Sequence, residues 1–143
     1  MSTTTSPAPA GIRIFNVLAG VTTLAIFLQA ISAGIFMSFR GSDAGEPWVT
    51  THQIVGYAAI LLAVVTAVIA IVALRTRAAG LVWSAVVLAV LLIVQVGIGQ
   101  AIEEARGLVA VHVPLAFIVF GLTIWLSVRG AVVRRRLTGA AAA

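Results

Sequence analysis

Four long apolar runs dominate the chain, and short polar segments separate them. The runs cover approximately residues 12–39, 47–74, 80–102 and 108–128. Each run reaches the roughly 20 residues that an α-helix needs to cross the hydrocarbon core of a bilayer. The pattern therefore predicts an all-α integral membrane protein, in which four transmembrane helices pack as one bundle.

The segments outside these runs are short and polar. The connections read "RGSDAGE", "RTRAAG" and "EEARG", and they leave one four-helix domain over residues 12–129. Residues 1–11 are rich in Ser, Thr and Pro, which predicts a disordered tail, and residues 130–143 form a basic, Ala-rich tail. The first run is too long for a signal peptide and only Arg13 precedes its apolar core, so we expect it to be retained.

The amino-acid composition indicates that lipid surrounds part of the protein. The 143 residues are 62% hydrophobic, with a mean hydropathy of +1.18, and a soluble domain of this length has too little interior to hide that apolar surface. The chain has no cysteine. This excludes disulfides, thiolate metal sites and a haem attached through C-x-x-C-H.

The arginines indicate the orientation of the bundle. With four spans, the two termini and the "RTRAAG" connection share one side of the membrane. That side collects most of the arginines: Arg13, Arg75, Arg77, Arg129, Arg134, Arg135 and Arg136. The positive-inside rule then places both termini in the cytoplasm, with the chain as a multi-pass protein of the plasma membrane. The high pI is thereby explained as a topology signal, and nucleic-acid binding is not expected.

The two histidines of the chain occupy matching positions. His52 and His112 each lie about five residues into spans 2 and 4, roughly 7 Å below the helix start at 1.5 Å per residue. Each follows a span in which a Gln, Gln29 or Gln95, is succeeded by small residues. This weak repeat predicts two helical hairpins related by an approximate two-fold axis along the membrane normal. The two imidazoles would then face each other across the bundle.

Two imidazoles at equal depth suit the two axial positions of haem iron. The sequence therefore indicates one non-covalent haem b in the outward half of the bilayer, ligated by His52 and His112. The small residues expected to leave room for a flat macrocycle are Gly56, Gly97, Gly99 and Ala116.

Other polar residues of the outward half extend this hypothesis. Arg40 and Arg106 lie in the two outward loops, where each is a candidate partner for a haem propionate or for a lipid headgroup. Gln29 and Gln95 are expected to make interhelical hydrogen bonds. They are also candidates to hydrogen-bond a histidine Nδ1–H and so to orient the ring.

Two further hypotheses remain open. Small residues also serve close helix packing, which suits a haem-free structural or accessory subunit of a membrane complex. A divalent metal at the outer face is the third hypothesis, and its candidate ligands are His52, His112, Glu46, Glu103 and Glu104. A transporter is disfavoured because no charged residue or histidine lies at mid-membrane.

Several stretches resemble a known family. Gln95 and Gly97 in span 3, "VHVPLAFIVFGL" in span 4 and "THQIVGYAAILLAVV" in span 2 resemble one four-helix half of the haem A synthase family of cytochrome oxidase assembly proteins. The chain is also similar to small four-span membrane proteins of actinobacteria. The resemblance covers roughly residues 15–128 and implies that His52 and His112 are axial ligands near the outer face.

The chain departs from that family's catalytic half. A Glu precedes the first histidine by about one turn there, whereas this chain has Trp48 and Val49. The resemblance is therefore closer to the half that only holds haem b. It implies a redox or haem-handling protein more than a stand-alone enzyme, with quinone or a membrane oxidoreductase as partner classes and homodimerisation left open.

Overall fold

The computed structural model describes residues 9–139, and these residues form four long α-helices. They are α1 (Ala10–Ser38), α2 (Glu46–Leu74), α3 (Ala79–Ala101) and α4 (Val109–Gly139). Single turns of 3-10 helix at Asp43–Gly45 and Arg106–Leu108 lead into α2 and α4, and no strand occurs within the described range. The all-α prediction is confirmed. The parts of the two predicted tails at residues 1–8 and 140–143 lie outside the described residues.

The helix ends follow from local chemistry. Pro47 stands in the first turn of α2, where its missing N–H leaves no intrahelical bond unmade. Gly41, after the end of α1, has φ of +87°, a backbone conformation that favours glycine. The α4 helix runs to Gly139 instead of ending near Val128. Hydropathy locates the end of an apolar run, whereas the Arg and Leu residues that follow still favour helix.

Each helix contacts two neighbours. The contacting pairs are α1 with α2, α2 with α3, α3 with α4, and α4 with α1, while the diagonal pairs make no close backbone contact within residues 9–139. The two helices that carry histidine, α2 and α4, therefore stand diagonally across the bundle.

Small residues form much of the interior. The α2 helix buries one stripe at helical spacing, made of Gly56, Ala59, Ala63, Ala67 and Ala70. Small side chains allow helices to approach closely, which is how membrane bundles gain packing contacts. This stripe begins one turn below His52, so the face of α2 that carries His52 is turned toward the bundle.

Both ends of the described chain lie at one end of the bundle. A Cβ added to Gly11 of α1 would overlap Ala73 near the end of α2. A Cβ added to Gly130 of α4 would overlap Asn16 of α1 and lie 2.9 Å from Phe15 Cε1. The start of α1 therefore packs tightly against the last turns of α2 and α4.

The outside of the bundle is strongly apolar. All four helices are long and apolar enough to cross a membrane. Large side chains such as Val17, Val72, Trp83 and Phe117 are each at least 65% exposed. A continuous apolar exterior of this kind is stable only against lipid. The chain is a multi-pass membrane protein.

Candidate functional site

His52 is held from the neighbouring helix α1. The side-chain amide of Gln29 donates to the His52 main-chain carbonyl at 2.5 Å. The ring Nδ1 lies 3.1 Å from the Gln29 carbonyl oxygen and 3.1 Å from Ser32 Oγ. Phe36 meets the imidazole edge to face, with ring centroids 5.4 Å apart. Three residues of α1 thus fix the position of one half-buried ring.

The hydrogen-bond network assigns the tautomer of His52. The Ser32 hydroxyl donates to the Gln29 carbonyl at 3.0 Å, so its oxygen is free to accept from the imidazole. A carbonyl oxygen only accepts, and it would repel an unprotonated Nδ1. The arrangement is therefore satisfied when Nδ1 carries the proton. The lone pair of Nε2 is then free, which is the state that a metal-binding imidazole requires.

His112 has the same main-chain contact but a different ring environment. The side-chain amide of Gln95 donates to the His112 carbonyl at 2.9 Å, so each half of the chain contains one Gln-to-His bond of the same kind. The carbonyl of Gln95 approaches the imidazole. Nevertheless Nδ1 of His112 is buried without a hydrogen-bond partner, and so is Oε1 of Gln95.

The two glutamines make interhelical hydrogen bonds, as expected from the sequence. Their side chains reach the histidine backbone and not the imidazole Nδ1. The long amide side chains extend across the helix contact to the carbonyls, while the His52 ring turns toward the backbone of α1. Ser32 and Phe36 were missed by the sequence analysis. The signal available was their spacing, since they stand three and seven residues after Gln29 on the same helix face.

The glycines near the histidines have distinct environments. A Cβ at Gly56 would lie 2.9 Å from the Gln29 amide nitrogen, and a Cβ at Gly99 would lie 2.9 Å from His112 Cε1. The space beside these two glycines is thus used by Gln29 and by the His112 ring. Gly97 is exposed, and a Cβ there would meet nothing within 4 Å. Ala116, one turn below His112, is half-buried.

The arginines that precede α2 and α4 line one cleft. Arg40 and Arg106 both line an open cleft of about 510 Å³ at the end of the bundle, with Ile102, Glu103 and Val109. Val109 lies one turn before His112 on α4, so this cleft is adjacent to the histidine level. This end of the bundle thus carries the two histidines and the two arginines.

The acids do not join this arrangement as a metal centre. Within the described part of the chain, no three His, Asp or Glu side chains converge on one point. Glu46, Glu103 and Glu104 are exposed. A divalent cation bound by protein ligands alone ordinarily requires at least three, so the hypothesis of a surface metal site loses support.

Comparison with protein-family models, with curated proteins and with solved structures finds no match to this chain. The functional argument consequently depends on the geometry of the residues described above.

Proposed function

We propose that this chain is a b-type cytochrome-like protein that holds one non-covalent haem b between His52 and His112. The observation that carries the proposal is the environment of His52, whose Nδ1 is bonded to the Gln29 carbonyl. That bond leaves Nε2 available and sets the ring orientation, as a haem-ligating histidine needs. The only other histidine stands on the diagonal helix and carries the matching Gln contact.

The cleft at the outward end supports the same proposal. Haem propionates are anionic and pair well with guanidinium groups. Arg40 and Arg106 come from different loops and line one cleft next to Val109 of α4. In this proposal the two arginines would pair with the propionates, and Gly56, Gly97, Gly99 and Ala116 would border the macrocycle. Gln29 would then leave the space beside Gly56, and the His112 ring would leave the space beside Gly99.

The topology that we propose is two helical hairpins related by an approximate two-fold axis. Gln29 to His52 in the first hairpin corresponds to Gln95 to His112 in the second. Both termini then lie in the cytoplasm, together with the arginine-rich end of the bundle, in the plasma membrane of a bacterium. The haem lies in the half of the bilayer that faces outward.

If His52 and His112 both held the haem iron, no position on it would be open, which favours electron transfer or haem handling over oxygen chemistry. The haem supplies one-electron redox chemistry when bound. The chain supplies imidazoles at fixed depth, cations for the propionates and an apolar surround. The chain's two histidines serve one haem only, so electrons are exchanged on the outer side, with a quinol or a membrane oxidoreductase as partner class.

A second candidate is a haem-free accessory subunit of a membrane complex. The packing of His112 on Gly99 and of Phe36 on His52 favours it, because both rings already have close protein neighbours. Interfacial histidines would then serve helix packing alone.

A reduced-minus-oxidised visible spectrum of the purified protein tests the proposal. We expect the sharp α-band of a six-coordinate b haem, and its loss in His52→Ala and in His112→Ala. Gln53→Ala serves as the matched control, because Gln53 is an exposed residue next to His52. A helical, colourless protein that also fails to take up added haemin would establish the accessory-subunit alternative.

A further inference from the structure

We propose that the two imidazoles are held unequally, with His52 as the fixed ligand and His112 as a displaceable one. The site then accepts a neutral diatomic ligand, such as carbon monoxide, in place of His112. This inference rests on the proposed haem site. The inequality of the two rings, however, is a property of the chain and is measurable in the haem-free protein.

The His52 ring is fixed by hydrogen bonds. Its Nδ1 has two acceptors, the Gln29 carbonyl and Ser32 Oγ, each at 3.1 Å. Ser32 is itself only 3% exposed and is tied to the Gln29 carbonyl, so the acceptors cannot easily move away. Rotation of the ring would break both contacts in a buried setting, where water is a poor replacement.

The His112 ring lacks these bonds. Ser32 follows Gln29 by three residues, and the residue that follows Gln95 by three is Ile98, which has no polar side-chain atom. Nδ1 of His112 has no hydrogen-bond partner, and Oε1 of Gln95 has none either. The Gln95 amide donates to the main-chain carbonyl of His112, while the ring itself is held by packing against Gly99.

The helix around His112 is also less constrained than the helix around His52. Pro114 lies inside α4, two residues after His112, and cannot donate to the carbonyl of Ala110. The corresponding residue of α2 is Ile54, which can donate. Only 11% of the most apolar stretch of α4 is buried inside the bundle, against 28–33% for the other three helices. A less buried helix with a missing bond allows the larger movement.

The consequence concerns ligand exchange. If both histidines held the iron, an incoming ligand would bind only after one imidazole left. His112 would leave more readily, because its Nδ1 has no hydrogen bond to break. Ser32 is therefore a positioning residue, because its contact with Nδ1 makes His52 the retained ligand. Ile98 offers no such contact, so His112 is the ligand that is displaced.

Histidine tautomers in the haem-free protein provide the first test. Long-range proton–nitrogen NMR on ¹⁵N-histidine-labelled protein in detergent should show His52 as the single Nδ1–H tautomer and His112 as a mixture. Ser32→Ala should convert His52 to a mixture, and Ile98→Ser should convert His112 to the single Nδ1–H form. Ile98→Ala is the matched control without a hydroxyl and should leave His112 mixed. Two equally ordered rings in the unaltered protein would overturn the inference.

Carbon monoxide binding to the reduced, haem-loaded protein provides the second test. We expect the spectrum to change on addition of the gas, and Ile98→Ser to weaken the apparent affinity by about tenfold relative to Ile98→Ala, the scale of one hydrogen bond. A haem-loaded protein whose spectrum does not change with carbon monoxide would contradict a displaceable His112. Equal carbon monoxide affinities of Ile98→Ser and Ile98→Ala would contradict it as well. Neither result would argue against the haem site itself. Failure to load any haem would instead overturn the proposed function, and with it the displacement, whatever the tautomers show.

Discussion

The side-chain amide of Gln29 donates to the main-chain carbonyl of His52 at 2.5 Å, joining α1 to α2 at the level of the candidate site. Gln95 and His112 repeat the contact between α3 and α4 at 2.9 Å. An amide that bonds a neighbouring backbone sets the helix register without occupying the imidazole. The rings then remain available for ligation, and each hairpin is closed at the same depth as its histidine.

Replacing these glutamines should destabilise the bundle. We expect Gln29→Leu and Gln95→Leu each to lower the free energy of unfolding by about 0.5–1.5 kcal/mol, the range for one interhelical hydrogen bond. Unfolding in mixed detergent micelles, followed by circular dichroism, measures the effect. Gln53→Leu, on an exposed face, is the control. Equal stability of all three variants would show that the contacts contribute no net stability.

Gly99 and Gly97 form a matched pair for the His112 side of the site. Gly99→Ala should displace the His112 ring, because the added Cβ would lie 2.9 Å from Cε1. Gly97→Ala should have no such effect, since nothing lies within 4 Å of its added Cβ. We expect lower haem content in Gly99→Ala only. Full loading of both variants would mean that His112 moves aside without loss of ligation.

The outward arginines should contribute to haem retention through charge. Arg40→Gln and Arg106→Gln should each weaken haem affinity by about threefold, because both side chains are exposed and their ion pairs are screened. The effect should shrink at high salt. Arg75→Gln, at the other end of the bundle, is the control. Haemin titration at two salt concentrations measures it, and a salt-independent affinity would argue against propionate pairing.

Close packing of α1 against α4 should depend on Gly130. Gly130→Ala would overlap Asn16 and crowd Phe15, and we expect a loss of about 1–3 kcal/mol, the usual range for overpacking. Gly121→Ala on the same helix is the control, because its added Cβ would meet nothing within 4 Å. Thermal unfolding of the two variants measures the difference in their stability. If Gly130→Ala is as stable as Gly121→Ala, the two helices can separate slightly at little cost.

The absence of cysteine from the sequence makes the orientation easy to test. Ser42→Cys lies in the exposed loop before α2, and Thr76→Cys lies in the exposed connection before α3. A membrane-impermeant maleimide applied to intact cells should label Ser42→Cys alone, and lysis should make Thr76→Cys reactive. The reverse pattern would place the termini outside and contradict the charge argument.

The fold was largely predictable from the sequence. The first three spans agree with α1, α2 and α3 to within two residues at each end, because the length of an apolar run and the position of Pro47 or Gly41 are local properties. The C-terminal end of α4 was the exception. Its last turns contain arginines that lower hydropathy without disfavouring helix. The equal depth of the two histidines, expected from the constant rise of an α-helix, stays a prediction. His52 is the seventh residue of α2, whereas His112 is the fourth residue of α4, which begins only after the 3-10 turn at Arg106–Leu108.

By itself, then, the sequence determined four membrane-spanning helices, because these depend on hydropathy along one chain. It also predicts a common depth for His52 and His112 from their spacing. Only the tertiary structure decided which groups meet. It directed the glutamine amides to backbone carbonyls and placed Ser32 beside His52. It left His112 Nδ1 without a hydrogen-bond partner. It also packed Gly99 against the His112 ring, whereas nothing lies within 4 Å of a Cβ added to Gly97. Such contacts depend on the rotation of each helix about its axis and on side-chain rotamers. Those are set by packing between helices, and a strongly apolar sequence specifies them only weakly.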